Sequence, residues 1–306
     1  MTAVWLRRLL LTQMTLLVFA GGVLAAFGHG VEGVVLAVFG LPFAYLVLTG
    51  LHVTLLSLWC ARHAAPCCAG SARLRMWVTE SWLQMRAFIW LQPWRAQTWP
   101  DSPGTPDDGP GVLLVHGYLC NRGFWNPLLA RLKAQRTPWV AVNLEPMFGD
   151  ISAYAPIIDA AVAQLAAATS RAPVILAHSM GGLAVRAWLA EHAAHAQRVA
   201  AVVTIGSPHG GAWLARWDGS FNAAQMRPAS PWLLSLQSRE SRMKQPPIWC
   251  VSSACDQLVY PEQAALLPGA LPVHVTGVGH LGMAFDPATW TALGAALTLA
   301  SRRAHR

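Results

Sequence analysis

Hydrophobic positions change their pattern three times along the chain. Residues 9–28, LLLTQMTLLVFAGGVLAAFG, run without a charge over about the 20 residues that a membrane-crossing helix needs. Residues 33–60, GVVLAVFGLPFAYLVLTGLHVTLLSLWC, form a second uncharged run, long enough to cross with tilt and with a kink expected at Pro42. Only a short link around His29, Gly30 and Glu32 separates them, so residues 1–62 read as a two-helix transmembrane hairpin. The pattern then turns amphipathic over residues 63–91. There Leu74, Trp77, Val78, Met85, Phe88 and Ile89 share one helical face, predicting a helix that lies in the membrane interface or packs on the domain that follows. Residues 92–110 turn to Pro, Gly and Asp (PDSPGTPDDGPG) and read as a linker.

From residue 111 onward, short apolar runs rich in β-branched residues alternate with Ala- and Leu-rich helical stretches. GVLLVHG, PWVAVNLE, PVILAHS, VAAVVTIGS, PPIWCVSS and LPVHVTG read as strands; WNPLLARLKAQ, YAPIIDAAVAQLAAAT and GLAVRAWLAEHAA read as helices. A closing helix follows Asp286 and Pro287, a cap and first-turn pair. Continuous apolar strands alternating with helices imply an α/β domain over residues 111–306, with a mostly parallel, doubly wound sheet covered on both faces.

Composition and charge sharpen this picture. The chain is 54% hydrophobic and only 12% charged, too apolar for an ordinary soluble protein of 306 residues. The net charge of +8 does not indicate nucleic acid, because seven arginines face only Glu32 and Glu80 in the first hundred residues, beside the membrane segments. Arg302, Arg303 and Arg306 form a small basic tail. Arg7 and Arg8 precede the hairpin, Arg62, Arg73, Arg75 and Arg86 follow it, and the link carries no Lys or Arg. The positive-inside rule therefore predicts both ends, and the α/β domain, in the cytoplasm. The first run alone also fits a secretory signal peptide ending near Leu24-Ala25-Ala26, but the second run would still anchor the chain. The alternative location is the periplasmic or secreted side. Six cysteines show no CxxC spacing, which argues against a thiolate metal site, and in a cytoplasmic domain they are expected to be reduced. Cys67-Cys68 past the second span is a candidate lipid-attachment site.

The candidate chemistry lies in VILAHSMGGLAVRAW, residues 174–188, where an apolar strand breaks at a serine and resumes as a helix. A strand turning directly into a helix tightens sharply, and the small residues Ala177 and Gly181 permit it, leaving Ser179 on an elbow above the sheet. Serine needs a base to take its proton, and the base needs a carboxylate to orient it. Asp256, just past the strand PPIWCVSS, and His280, just past LPVHV, both fall at strand ends, where a doubly wound sheet places its chemistry. Asp150 and Asp159 precede the serine, Asp218 and Glu240 lie in an apparent insertion, and Glu191, His192 and His195 read as an exposed helix face. The backbone amides of Met180 and Tyr118 are the expected oxyanion donors.

VLLVHGY, AHSMGG, TIGSPHGG and GVGHLGM together resemble the bacterial true-lipase family of α/β-hydrolases, especially its compact branch whose elbow begins with Ala. The resemblance covers about residues 111–300 and leaves out the hairpin. It implies the α/β-hydrolase fold, a catalytic triad of Ser179, Asp256 and His280, oxyanion donors at Tyr118 and Met180, and hydrolysis of carboxylic esters through an acyl-serine. Larger members hold calcium through an Asp shortly after the catalytic His; here the first acid is Asp286, read as a helix cap, so no metal or other cofactor is expected. These lipases are usually secreted, whereas charge placement puts this domain on the inner side of a bacterial inner membrane. A lid or cap segment is expected at about residues 212–245, with Trp213, Trp217, Met226, Trp232 and Leu233 offering apolar surface to an acyl chain. The expected partners are a lipid or apolar ester and the bilayer, with no nucleic acid. Acyl transfer on the same fold, or a catalytically idle binding module, are the alternative functions.

Overall fold

A computed structural model describes residues 1–303, so that Arg306 of the basic tail lies outside the described residues. Six strands, β1 (Val112–Val115), β2 (Trp139–Ala141), β3 (Val174–His178), β4 (Ala201–Ile205), β5 (Ile248–Ser252) and β6 (Leu271–His274), form one sheet in the order β2-β1-β3-β4-β5-β6. Every pairing is parallel. The strands β1, β3 and β4 are wholly buried, as their unbroken apolar sequences require of strands covered on both faces.

The helices of the chain are α1 (Thr2–Ala26), α2 (Gly30–His63), α3 (Gly70–Met85), α4 (Asn126–Ala134), α5 (Ala155–Thr169), α6 (Met180–Leu189), α7 (Phe221–Gln225), α8 (Pro231–Glu240) and α9 (Pro287–Arg303). Leu113, Val115 and Ile175 point to one side of the sheet, where α5 and α6 cover them with Ile158, Val162, Leu183 and Trp188. Val112, Leu114 and Leu176 point to the other, under Leu128 and Leu132 of α4 and Leu293 of α9. This alternation along each strand is the period-two geometry of the pleat. Between β1 and β3 the strand order reverses, and the carboxyl ends of these two strands open the crevice in which such sheets place their ligands.

Helices α1 and α2 run as an antiparallel pair, each long and apolar enough to cross a membrane by length and composition. Their closest approach is at Gly21 and Gly33, where an added Cβ would meet a backbone oxygen of the other helix at 2.5 and 2.2 Å. Only glycine allows backbones this near each other. Helix α3 lies along the second half of α2, where Trp77 donates to the Leu46 carbonyl at 2.9 Å and Thr49 donates to Gln84 Oε1 at 3.1 Å. The buried residues of α3 are Met76, Glu80, Ser81 and Gln84, while Leu74, Val78 and Trp82 are exposed. Its exposed side mixes Leu74, Val78 and Trp82 with Arg73, Arg75 and Thr79, while Glu80 and Gln84 are turned into the protein beside Met76. Residues 92–110 are fastened to the sheet: Ser102 and Trp139 exchange backbone hydrogen bonds along the edge strand β2, and Asp101 pairs with Arg122 at 2.7 Å.

One expectation needs correction. Cys68, between α2 and α3, is joined by a disulfide to Cys255 in the loop after β5, so these two cysteines are not reduced thiols. No spacing rule in the sequence links residues separated by 187 positions.

Candidate active site

Ser179 is the residue between the last residue of β3 and the first of α6, with φ 55° and ψ −128°. That left-handed conformation is strained for a residue with a side chain, and strain of this kind is held only where its surroundings enforce it. Here the Ser179 amide donates to the Ile205 carbonyl at 2.8 Å, and the first turn of α6 presses on the end of β1. An added Cβ at Gly181 would fall 2.5 Å from the His116 oxygen and 2.7 Å from the Val115 oxygen. This contact is the physical reason for a glycine two residues after the serine.

Asp256 and His280 come together on the loops after β5 and β6. His280 Nδ1 lies 3.0 Å from Asp256 Oδ1 and 2.9 Å from Oδ2, and both residues are buried. The carboxylate is itself held in place, since Oδ1 accepts from the Leu258 and Val259 amides at 2.9 Å each. Nδ1–H donation to Asp256 sets the tautomer and leaves Nε2 as the basic nitrogen. Burial disfavours the imidazolium, but the charge and hydrogen bond of Asp256, together with nearby Glu80, outweigh it and raise the His280 pKa above its ordinary value. Ser179 and His280 line the same pocket, a cavity of about 490 Å³ with a mostly apolar lining.

Tyr118 and Met180 flank this pocket at the ends of β1 and β3. Among the described residues neither backbone amide donates to a protein acceptor. The Gly117 carbonyl is held by His116 Nδ1 at 2.9 Å and by the Cys120 amide at 3.3 Å. In a planar trans peptide this turns the Tyr118 N–H to the opposite side. His116 is a neutral brace: burial lowers its pKa to about 4, and its Nε2 accepts the Leu144 amide at 3.0 Å.

Three positioning groups were not singled out in the sequence. Glu80, on α3, is buried at 1% exposure and accepts from the amides of Leu281 (3.0 Å) and Gly282 (2.7 Å), which immediately follow His280. Burial pushes the Glu80 carboxyl up, while these two donors and Gln257 Nε2 hold its charged form. Gln257 completes the link, with its Oε1 accepting the His280 amide at 3.1 Å. His178 donates from Nε2 to the His280 carbonyl at 3.1 Å and stacks on Phe124. Burial and neighbouring His280 push its pKa well below the usual histidine range, so it stays neutral. A charged residue on an amphipathic helix gives no sequence signal that it reaches across about two hundred positions.

The other candidates occupy defined places. Asp159 binds Trp188 and Arg198, and Glu240 pairs with Arg186. Asp286 caps α9 through the Ala288 amide. Asp218 accepts the Tyr118 hydroxyl at 2.7 Å, latching the 212–245 segment onto the loop after β1. Within that segment Met226 lines the pocket, as do Ala212, Leu214 and Ala215. Four of its expected lining residues are placed elsewhere. Trp213 packs at a tilt against Tyr260 beside α2, Trp217 is exposed, Trp232 donates to Ser152 Oγ, and Leu233 is buried in the core. The first turn of the segment leans on α2 through Trp213, whose ring meets Trp217 edge-on, and α8 buries Leu233 and Leu236.

The family model described as "PGAP1-like alpha/beta domain" matches residues 155–259, from α5 through the loop after β5. Among solved structures, the mature lipase BlEst2 of Bacillus licheniformis is similar over 65% of this chain and 96% of its own, with TM-score 0.57 and 16% identity. The chain has the α/β-hydrolase fold. Lipase B of Aspergillus fumigatus matches this hydrolase fold with TM-score 0.57 and 18% identity, over 64% of this chain and 54% of the fungal enzyme. No curated protein matches the sequence significantly. In this fold, Ser179 stands at the elbow after β3, and the Asp256–His280 pair lies on loops at the same end of the sheet.

Proposed function

We propose that this protein is a membrane-anchored serine ester hydrolase, a lipase or esterase acting on acyl lipids or other apolar esters. Ser179 Oγ attacks the ester carbonyl as His280 Nε2 takes its proton. Asp256 orients the ring and stabilises the imidazolium, and the Tyr118 and Met180 amides hold the oxyanion. His280 then gives the proton to the leaving alcohol, and water activated by the same ring releases the acid from the acyl-serine. The observation that carries this reading is the buried Asp256–His280 pair, whose His280 lines one pocket with Ser179, a serine at positive φ. It is tested with p-nitrophenyl esters of two to sixteen carbons on the detergent-solubilised protein, alongside Ser179→Ala. Serine-dependent turnover supports it, and the preferred chain length separates lipase from esterase. Folded protein with no turnover on any ester overturns it in favour of acyl transfer or an idle scaffold.

The anchor is the α1–α2 hairpin, which the arginine distribution orients with both ends in the cytoplasm. The Cys68–Cys255 disulfide favours the second reading, with the hydrolase domain on an oxidising side of the membrane. An alkaline phosphatase fusion at the C-terminus decides: an active fusion places the domain on the oxidising side, and an inactive one in the cytoplasm.

A further inference from the structure

The pocket at Ser179 has a wall that the α/β domain does not supply. Trp5, Leu6 and Leu9 of α1 and Tyr45, Leu48 and His52 of α2 line it together with Ser179. These residues belong to the two helices with the composition of membrane spans.

The base of the hairpin is clamped to the domain. The Met1 amino group and the Thr2 amide bind Glu145 at 2.8 and 2.7 Å, and Leu6 and Leu10 are buried. Trp5 packs edge-on against Phe148, which packs against Tyr118. On α2 the clamp begins near Tyr45, with the Trp77–Leu46 and Thr49–Gln84 hydrogen bonds. Beyond it lie residues 11–26 of α1 and 30–44 of α2. At about 1.5 Å per residue these free arms are about 24 and 22 Å long. That is short of a hydrocarbon layer of about 30 Å, so a hairpin that crosses it draws its own base into the outer edge of the layer.

The side chains around the base fit that depth. Trp5, Leu9 and Leu48 line the pocket and are also 42%, 41% and 46% exposed, so they border both the cavity and the surroundings. Helix α3 continues outward with exposed Leu74, Val78 and Trp82 beside exposed Arg73 and Arg75, the mixture of apolar and cationic side chains that suits a membrane interface. Exposed Trp90 and Trp94 carry the guanidinium groups of Arg95 and Arg7 over their rings, a combination suited to the headgroup level. Arg7 at headgroup depth puts Leu9 at the top of the acyl region, the depth at which the ester bonds of glycerolipids lie.

Resting on the hydrolase reading above, we infer that the substrate is a membrane-resident acyl lipid that passes sideways from the bilayer into the site between the bases of α1 and α2. Leu9 and Leu48 form the sill that its acyl chain crosses. The hairpin is thus part of the binding site as well as the anchor.

The test uses full-length protein in phosphatidylcholine vesicles, comparing a long-chain fluorogenic lipid ester placed in the same bilayer with soluble p-nitrophenyl acetate. The double variant Leu9→Trp, Leu48→Trp narrows the sill, and Val18→Trp, Val38→Trp makes a matching change in the free arms. The expected result is at least a tenfold fall in the lipid-to-acetate ratio of kcat/KM for the sill variant, with the arm variant at the wild-type ratio. A sill variant within twofold of the wild-type ratio overturns the inference while leaving the hydrolase reading intact. Wild-type protein without Ser179-dependent turnover of either ester removes the hydrolase reading and this inference together. If the sill variant does not fold, a photoactivatable acyl lipid is cross-linked to Ser179→Ala protein in the same vesicles. Labelling at Leu214 or Met226, inside the cavity, supports the inference, and labelling confined to residues 11–44 overturns it.

Discussion

His280, the base in the proposed reaction, is influenced by two carboxylates on different parts of the chain, Asp256 and Glu80. Its pKa is raised above the ordinary 6.5 by Asp256 and Glu80 against the opposing effect of burial. The neutral ring is the base, so kcat/KM for an ester is expected to rise with pH through a midpoint above that value. The sign for stability is the opposite: the charged pair with Asp256 stabilises the fold at low pH, and this contribution is lost as pH rises through the folded pKa. Asp256→Asn is expected to lower kcat about a thousandfold or more, by presenting the wrong tautomer partner. Glu80→Gln replaces one acceptor oxygen with a donor facing the Leu281 or Gly282 amide. The expected result is a fall in kcat of about a hundredfold through misplacement of His280, with little change in KM. The pH midpoint should also move down, and Glu80→Asp should partly restore both. A purely structural role for Glu80 would lower the yield of folded protein and leave the midpoint where it was. The placement of Ser179, Asp256 and His280 beyond the ends of β3, β5 and β6 could be read from sequence, because the strands themselves are legible. Glu80 could not, since its partner loop is brought to it only by the packing of α3.

At the level of elements, the strands and covering helices followed from periodicity, because fully buried strands must be continuously apolar and their helices must not. The helices before the sheet carried less information. α1 and α2 are apolar all round, so no stripe in them marks the side that meets the domain. Composition likewise identified 212–245 as apolar without telling which of its side chains turn to the pocket. Met226 does, while Trp213 turns to α2. The Cys68–Cys255 bond closes a long loop between the α2–α3 connection and the loop carrying Asp256. Cross-links of this kind commonly stabilise by about 2–4 kcal/mol. Cys68→Ser with Cys255→Ser should therefore lower Tm by several degrees, measured by scanning calorimetry in detergent. An unchanged Tm, with both thiols free to alkylation in the native protein, would mean that the bond is not formed where the protein lives.

Over the whole molecule, the N-terminal helices and the α/β domain line one pocket. The hairpin closes the pocket, α3 supplies Glu80, and residues 92–110 cover the edge strand. Removing residues 1–91 should therefore do more than release a soluble domain. Even p-nitrophenyl acetate, which needs no bilayer, should be turned over at least about a hundredfold more slowly, because the His280 loop loses its support. A truncated protein as active as the full chain would show that the N-terminal third is only a tether. The hairpin was recognisable from sequence as two apolar helices long enough to cross a membrane. Its part in the site was not, because it depends on where two apolar helices cross an α/β sheet.

The most direct test of the whole account is fluorophosphonate labelling of the folded, full-length protein, read by intact mass and peptide mapping. The expected result is a single adduct on Ser179 that is absent from Ser179→Ala and forms much more slowly in Asp256→Asn. An adduct that persists in Ser179→Ala, or no adduct on protein shown to be folded, would contradict the assignment of Ser179 as an activated nucleophile.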